Sequence, residues 1–216
     1  MNQMSAGLFD LPFPETPDAV LEKKHAKSCN FRLAGVDEAG RGPWAGPVVT
    51  AAVILDYDNL PGGLNDSKKL TEARRETLFD AIMTSAHVSI ATACPQTIDD
   101  RNIRAATLSA MVHAVNGLAP KPDYVLIDGR DVPPGLDQPG QALVKGDGRC
   151  LAVAAASIVA KVARDRMMVR LGALRPEYAF EAHKGYGVPR HQAALAEFGP
   201  TRHHRMSFKP VRECKT

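Results

Sequence analysis

Four acidic side chains in this sequence each follow an apolar run and lie next to or near a glycine. They are Asp37, Glu38, Asp128 and Asp147, within the segments VDEAG, LIDG and VKGDG. Apolar strands would carry these carboxylates to one edge of a sheet, where open α/β sheets bind their ligands. Clustered carboxylates repel one another, and a divalent cation removes the repulsion, with Mg²⁺ or Mn²⁺ favoured by a ligand set made of oxygen alone. A single Asp after a strand is commonly a turn residue, so the four together favour a metal site without excluding separate turns.

A glycine-rich segment, Gly40-Arg41-Gly42, follows the first two acids and continues to match GxGxxA. A dinucleotide-binding turn of this pattern must open a helix. Here the segment leads into VVTAAVIL (48–55), which is typical of a strand buried on both faces. A dinucleotide site is therefore excluded, and the segment is a turn whose exposed backbone a sugar or phosphate can approach closely.

Further polar groups have the chemistry to contact a nucleic-acid backbone. They are Asn65, Ser67 and Lys68 before a predicted helix, Ser157, Lys161 and Arg164 along another, and Lys184 and Tyr186 in HKGYG. The first group lies near a helix N-terminus, which favours binding of phosphate. The second group is spaced i, i+4 and i+7 and forms one polar stripe along its helix. In the third group the tyrosine can stack on a sugar or base while the lysine contacts a phosphate. Each group also fits an ordinary solvated or packed role. His191 and His203–His204 are expected at the surface or at helix ends.

The elements that must position these groups are predicted from apolar periodicity and capping residues. Strands are expected at 31–37, 48–55, 88–93, 124–127 and 142–145, and helices from Thr71, from Asn102 to Gly117, at 151–171 and at 189–198. The helix after Thr71 should bury Leu78, Phe79, Ile82 and Met83. Small residues at 152 and 154–156 should let the long helix press on the sheet. Strands followed by alternating strands and helices predict an α/β fold with a mixed sheet.

Composition and charge narrow the class of protein. The chain has 216 residues, 44% hydrophobic and 24% charged, which excludes general disorder and a disulfide scaffold. No apolar run is long enough to cross a bilayer and the start lacks a secretory pattern, so a cytoplasmic protein with four free cysteines is expected. The net charge of +3 conceals a segment, 183–216, that carries +5 and is either a docking arm for a polyanion or a solvated tail.

Six ordered motifs of the sequence resemble type 2 ribonuclease H, the bacterial ribonuclease HII family. They are GVDEAGRGP (35–43), NDSKKL (65–70), IDG (127–129), KGD (145–147), AAASIVAKVARD (154–165) and HKGYG (183–187). The resemblance runs from about residue 31 to residue 212. It implies a ribonuclease H-like α/β core at 30–175 and a basic C-terminal helical extension at 176–216. Residues 1–29 precede it and are expected to form an extended, flexible leader.

The resemblance also implies roles for individual residues. The metal-binding, catalytic acids fall on Asp37, Glu38, Asp128 and Asp147. The Gly40-Arg41-Gly42 turn would read the ribose 2′-OH, and Tyr186 would stack against the substrate.

The activity implied is that of a monomeric endonuclease with two Mn²⁺ or Mg²⁺ ions at its active site. It would cut the RNA strand of RNA–DNA hybrids and nick at ribonucleotides embedded in duplex DNA, leaving 5′-phosphate and 3′-hydroxyl ends. Two other classes remain open on the residues alone. A nucleic-acid-binding module would need the cations and the ring but not four converging acids. A Mg²⁺-dependent phosphohydrolase of small molecules would need the acids but no basic arm.

Overall fold

A computed structural model describes residues 13–214 of the chain. Its strands are β1 Leu33–Ala39, β2 Val48–Ile54, β3 His87–Ala93, β4 Tyr124–Asp128 and β5 Gly140–Leu143. Its α-helices are α1 Ala19–Ser28, α2 Glu72–Ser85, α3 Pro95–Arg101, α4 Ile103–Asn116, α5 Leu151–Leu174, α6 Phe180–His183, α7 Pro189–Phe198 and α8 Lys209–Glu213. Short 3₁₀ turns cover Ser67–Lys69, Gly146–Gly148 and Pro176–Tyr178. The predicted α/β class is confirmed.

The five strands form one mixed sheet in the order β3-β2-β1-β4-β5. β2 is antiparallel to both β1 and β3, whereas β4 runs parallel to β1 and β5 runs parallel to β4. In the β1–β4 pair Val36 lies beside Ile127. The carboxyl ends of β1, β4 and β5 therefore meet at one edge of the sheet, which is the edge predicted to carry the acids.

Helices cover both faces of this sheet. Leu33 of β1 and Leu126 of β4 are buried in the core shared with α5, whereas Ala34 and Val36 point into the core shared with α4. This alternation between two apolar cores explains why the central strands are apolar at nearly every position. The C-terminal helices add a smaller core around Tyr178 and Phe180, consistent with the predicted helical extension.

The long helix α5 lies close against β1 at Gly35. A Cβ atom added to Gly35 would stand 2.1 Å from the backbone carbon of Ala152, so only glycine permits this contact. The run of small residues at the start of α5 is buried, as the prediction of a helix pressed onto the sheet requires. Backbone contact thus fixes the spacing between β1 and α5 two residues before Asp37.

The segment before β1 differs from the extended leader predicted for residues 1–29. Residues 19–28 form α1, and the Asp18 side chain caps this helix by accepting hydrogen bonds from the amides of Val20 and Leu21 at 2.9 and 3.0 Å. The sequence AVLEKKHAKS has no apolar stripe, and short helices of this kind depend on tertiary packing. Residues 1–12 lie outside the described range, and the predicted domain boundaries stay a prediction.

Several local expectations are confirmed and others are wrong. Thr71 and Asn102 cap α2 and α4 as predicted, and all four cysteines are free. Met83 is 46% exposed and is not part of the buried face of α2. His191 and His204 are buried rather than at the surface, because the C-terminal segment folds back over the glycine-rich turn. Within residues 13–214, no helix combines the length and the apolar character needed to span a bilayer.

Candidate active site

The strand register brings the four acids to one region. Asp37 directly follows Val36, and Asp128 directly follows Ile127, the residue paired with Val36 in the parallel β1–β4 ladder. The chain leaving β5 then turns through Gly146–Gly148, which carries Asp147. The carboxyl ends of β1, β4 and β5 thus each deliver one or two carboxylates, as the strand-end pattern predicts.

Asp37 is the most deeply buried of the acids, with 4% of its surface exposed. Its Oδ1 accepts a hydrogen bond from the Glu38 amide at 2.7 Å. Burial raises the pKa of Asp37 well above the usual value, and the neighbouring carboxylates of Glu38 and Asp128 raise it further. Hydrogen bonds from the Glu38 amide and the Ser157 side chain oppose this rise only in part.

Asp128 and Asp147 form a second electrostatically linked pair. The Gly146 amide donates to Asp128 Oδ1 at 2.7 Å, which ties β4 to the turn that carries Asp147. Burial and the charge of Asp147 raise the pKa of Asp128. Lys68 Nζ lies 3.3 Å from Asp147 Oδ2 and is the cation that reaches this pair. A largely exposed lysine neutralises only part of this negative charge.

Glu38 completes the acidic group on the side of the glycine-rich turn. Arg41 Nη1 lies 3.4 Å from Glu38 Oε1. Burial raises the pKa of Glu38 and Arg41 opposes that shift. Glu38 thus shares the environment of Asp37 but has a partial counter-charge of its own.

The carboxylate oxygens are suitable ligands for a hard divalent cation, although the side chains are not arranged as a complete coordination site. In the part of the chain that the structure describes, no three acidic, histidine or cysteine side chains are arranged as a ready metal site. Yet Asp37 is buried, Glu38 and Asp128 are partly buried beside it, and the pKa values of all three carboxyl groups are raised. Carboxylate oxygens are the donors that Mg²⁺ and Mn²⁺ prefer, and a cation removes the repulsion that raises these pKa values.

A cleft of about 380 Å³ opens beside these acids. Its lining includes Asp37, Glu38, Gly40, Arg41, Gly42, Ser67, Lys68, Asp128, Ser157, Lys161, Arg164 and Tyr186. The predicted metal-binding acids, the glycine-rich turn, the helix stripe and the tyrosine are therefore brought together. Asp147 is 6% exposed and joins the cleft through Lys68. Asn65 and Lys184 do not line the cleft: Asn65 accepts from the Asp66 amide at 2.8 Å, and Lys184 Nζ donates to the Glu181 carbonyl.

The polar residues along α5 differ in their partners: Ser157 and Arg164 bond to other segments of the chain, whereas Lys161 pairs with a residue of the same helix. Ser157 Oγ lies 2.8 Å from Ser67 Oγ in a buried hydrogen bond that joins α5 to the Ser67–Lys69 turn. Lys161 Nζ forms an ion pair with Asp165 at 2.9 Å. Arg164 is 1% exposed, and its guanidinium donates to the carbonyls of Ala45 and Pro47. Arg164 thus stabilises the segment that directly follows the glycine-rich turn, and direct contact with substrate stays a prediction for it.

A second buried arginine, Arg205, holds the same turn and was missed as a site residue. The sequence counts Arg205 among the basic groups of the C-terminal arm, yet it is fully buried. Its guanidinium donates to the carbonyls of Arg41 at 2.9 Å, Gly40 at 2.5 Å and Gly46 at 3.0 Å. Burial lowers the pKa of Arg205 to about 9. Its position between two histidines and a methionine gives no sequence signal for this role.

A buried histidine pair lies behind Tyr186. The Thr201 amide donates to His204 Nδ1 at 3.0 Å, so His204 carries its proton on Nε2 and donates to His191 Nε2 at 3.1 Å. His191 Nδ1 in turn donates to the Tyr186 carbonyl at 2.9 Å. Burial lowers the pKa of His204 to about 3 and also lowers the pKa of His191, in keeping with hydrogen bonds that give each ring one proton. The pair anchors the backbone of the tyrosine whose ring, 46% exposed, lines the cleft.

The chain is similar in sequence and in fold to known proteins. A family model described as ribonuclease HII matches residues 34–211. Ribonuclease HII of Rhizobium johnstonii is 56% identical over 206 residues, which are 95% of this chain and 90% of the relative. The crystal structure of ribonuclease H2 from Pyrococcus horikoshii OT3 gives a TM-score of 0.75 at 32% identity, covering 84% of this chain and 96% of that one. Bst ribonuclease HIII in complex with Mn²⁺ gives 0.66 at 20% identity, covering 84% and 68%, and supports the fold alone.

Proposed function

The chain belongs to the ribonuclease HII family, and from that premise we propose how its cleft recognises and cleaves its substrate. As a member of that family it is a metal-dependent endoribonuclease that degrades the RNA of RNA–DNA hybrids. The proposal adds incision at ribonucleotides embedded in duplex DNA, with 5′-phosphate and 3′-hydroxyl ends. Its main support is the placement of Asp37 and Asp128 at adjacent ends of parallel strands beside the cleft.

The four acids are the groups that would hold the divalent ions. Asp37 and Asp128 would be inner ligands, and Glu38 and Asp147 would complete the set. Two bound Mg²⁺ or Mn²⁺ ions would supply Lewis-acid stabilisation of the attacking and leaving oxygens of the phosphodiester. The raised pKa values of Asp37, Glu38 and Asp128 support this assignment, because each reports a carboxylate that a nearby positive charge would stabilise.

The turn at Gly40–Gly42 would recognise the ribose. The 2′-hydroxyl is the group that distinguishes RNA from DNA at a given nucleotide. A Cβ added to Gly42 would approach only the Tyr186 ring, at 3.7 Å, so Gly42 and the proposed stacking ring lie together on the cleft wall. Arg205 holds the carbonyls of Gly40 and Arg41 on the buried side of the turn, and Arg164 holds the carbonyl of Ala45 in the segment that follows it. A turn held in this way is preorganised to present a fixed backbone surface to one sugar.

Backbone phosphates would be held by the remaining polar groups. Lys68 would exchange its contact with Asp147 for a substrate phosphate when cations occupy the acids, and Ser67, Ser157 and Lys161 would line the same path. Asn65, Lys184 and the exposed lysines and arginines after residue 183 would contact phosphates farther from the scissile bond. Each phosphate neutralised steepens the dependence of log K on log[salt] by about 0.9 on duplex DNA. Because one chain supplies every group, we expect the monomer to be active.

The decisive experiment is metal-dependent nicking of a duplex with a single embedded ribonucleotide, compared with an all-DNA duplex. We expect incision at the ribonucleotide alone, and loss of cleavage with retained hybrid binding in Asp128→Asn. Glu76→Gln, which changes an exposed ion pair with Arg166 remote from the cleft, is the matched control. Cleavage that ignores the ribonucleotide would reject the proposal in favour of a general phosphohydrolase. Binding without any cleavage by the wild-type chain would favour a binding module.

A variant of the turn tests the assignment of ribose recognition. Gly42 has a backbone conformation open to other residues, and its added Cβ meets only an ordinary contact. Gly42→Ala should therefore fold like the wild type while losing about tenfold or more of the preference for a ribonucleotide, since a misplaced polar contact costs this much in discrimination. Unchanged preference in a folded variant would assign ribose recognition elsewhere.

A further inference from the structure

A buried carboxylate outside the acidic cluster has no place in the reaction described above. Glu22 of α1 is 1% exposed. Its Oε2 accepts a hydrogen bond from the Leu151 amide at 2.6 Å, and its Oε1 accepts from the Ala152 amide at 2.8 Å. The Tyr57 hydroxyl also donates to Oε1, at 2.9 Å. These three partners are all hydrogen-bond donors, so both oxygens of the carboxylate act as acceptors.

Glu22 thereby caps a helix to which it does not belong. The first amides of α5 need acceptors, and the residue before that helix, Cys150, offers no side-chain hydrogen bond to them. A carboxylate at this end is also favoured by the partial positive charge of the helix N-terminus. The start of the helix that carries Ser157 and Lys161 is therefore fixed by a residue about 130 positions earlier.

The same N-terminal segment also holds the other side of the turn before α5. Arg149 Nε donates to the Pro14 carbonyl at 3.1 Å, and its guanidinium reaches the Phe13 carbonyl as well. A third bond joins Arg149 Nη1 to the Val144 carbonyl at 3.2 Å. Residues 13–28, which we call the N-terminal strap, are thus bonded to both Arg149 and the first amides of α5.

Asp147 lies between these anchors. The turn that carries it is short: Lys145 has a left-handed backbone with φ of 57°, and the Cys150 amide donates to the Gly146 carbonyl at 2.8 Å. The Gly146 amide in turn donates to Asp128 Oδ1. A shift of the turn would therefore displace Asp147 and remove a hydrogen bond that orients Asp128.

We propose that Glu22 and Arg149 are positioning residues for metal binding, and that the N-terminal strap sets the affinity of the site by fixing the turn that carries Asp147. The strap precedes residue 34, where the match to the family model begins. This inference rests on the proposed function, because it takes Asp147 and Asp128 to be metal ligands.

The primary test compares Glu22→Gln with Glu15→Gln, a control on an exposed side chain of the same strap. The glutamine keeps the size of Glu22 but turns an amide N–H₂ toward groups that are themselves donors. Mn²⁺ binding is measured by calorimetry on the full chain, and amide exchange is followed at 144–152. We expect Glu22→Gln to weaken Mn²⁺ binding about 3- to 10-fold, less than the 10- to 100-fold typical of groups bonded directly to a metal ligand. Exchange at 144–152 should rise, while Glu15→Gln should match the wild type in both.

Cleavage adds a readout that a general loss of stability would not move. At fixed folded fraction, the half-saturating Mn²⁺ concentration should rise in Glu22→Gln, while kcat at saturating Mn²⁺ and hybrid affinity in EDTA stay within about twofold, since the variant changes the site and not the substrate contacts. Faster exchange at 144–152 with unchanged Mn²⁺ affinity would overturn the proposal and leave the cap a purely structural contact.

Two further variants keep the result unambiguous. If Glu22→Gln does not fold, Arg149→Met removes the opposite anchor and should shift Mn²⁺ affinity in the same direction; a folded Arg149→Met with wild-type affinity would also overturn the proposal. Asp147→Asn tests the premise separately. Weakened Mn²⁺ binding in Asp147→Asn but not in the strap variants would reject the positioning role alone, whereas wild-type binding in Asp147→Asn would reject Asp147 as a ligand.

Discussion

Glu22 and Asp37 are two buried carboxylates of similar exposure in opposite surroundings. Burial raises the pKa of both. Around Glu22 the hydrogen bonds from two amides and a tyrosine hydroxyl oppose that shift, whereas around Asp37 two further carboxylates add to it. A buried charge with its full set of donors stabilises a fold, and a buried charge facing like charges calls for a ligand. Burial alone therefore does not identify a functional acid, but the sign of its neighbours does.

The largest expected effect separates the two residues by activity. Asp37→Asn should lower hybrid cleavage by about a thousandfold or more, the scale of removing a main electrostatic contribution to phosphoryl transfer. The same change removes a repelled charge, so the metal-free protein should be at least as stable as the wild type. Single-turnover cleavage and thermal unfolding in EDTA measure the two effects. An active Asp37→Asn would contradict the contrast drawn here.

The next effect is the stabilisation of the wild type by cations. Mn²⁺ at 100 times its dissociation constant should raise the free energy of unfolding by about 2.7 kcal/mol, because it binds the folded state alone. Asp37→Asn should lose most of this increment, and Glu22→Gln should recover it once Mn²⁺ is raised to the same multiple of its own constant. Thermal unfolding with and without Mn²⁺ is the measurement. Equal stabilisation of Asp37→Asn would place the ion elsewhere.

Glu22→Gln should lower the free energy of unfolding in the absence of metal, whereas Asp37→Asn should not. The glutamine keeps one carbonyl oxygen as an acceptor, but its N–H₂ replaces the other oxygen and leaves at least one buried donor unpaired, which costs about 1–3 kcal/mol of unfolding free energy. Urea unfolding in EDTA checks this value against Glu15→Gln on the same strap. A Glu22→Gln protein as stable as the wild type would mean that the two carboxylates do not differ as described.

The smallest expected effect is a pH dependence of stability that comes from His204, a buried side chain whose hydrogen bonds are complete in its neutral form. The pKa of His204 is lowered from 6.5 to about 3, so the folded state binds fewer protons than the unfolded state between these values. Its contribution to stability is complete above pH 6.5 and declines as the pH falls, by up to about 1.4 kcal/mol per pH unit. Urea unfolding of the wild type and of His204→Gln between pH 7 and pH 5 measures it. Equal pH slopes in both would contradict the buried neutral pair.

Much of the site could be predicted because its chemistry is local in the sequence. The acids follow apolar strands, the glycine-rich turn is followed by a strand rather than a helix, and the α5 stripe has helical spacing. Parallel pairing of β1 with β4 then determines that Asp37 and Asp128 lie side by side. These features need only short-range patterns and one rule of sheet topology.

The residues that support the site could not be predicted in the same way. Glu22, Arg149 and Arg205 form hydrogen bonds with backbone groups about 130 or more positions away in the sequence. For Arg149 these groups are carbonyls of the strap at residues 13–14. Backbone amides and carbonyls have no residue type, so no pattern in the sequence marks the partner. Charge counting even places Arg205 on a basic arm that either docks a polyanion or is a solvated tail, although the residue is fully buried.

The contact of Gly35 with Ala152 has a consequence for how this protein tolerates mutation. Main-chain atoms meet there directly, so no side chain of residue 35 separates β1 from α5 at this point. The same closeness makes position 35 intolerant of every other amino acid, since even a methyl group would push the helix and strand apart.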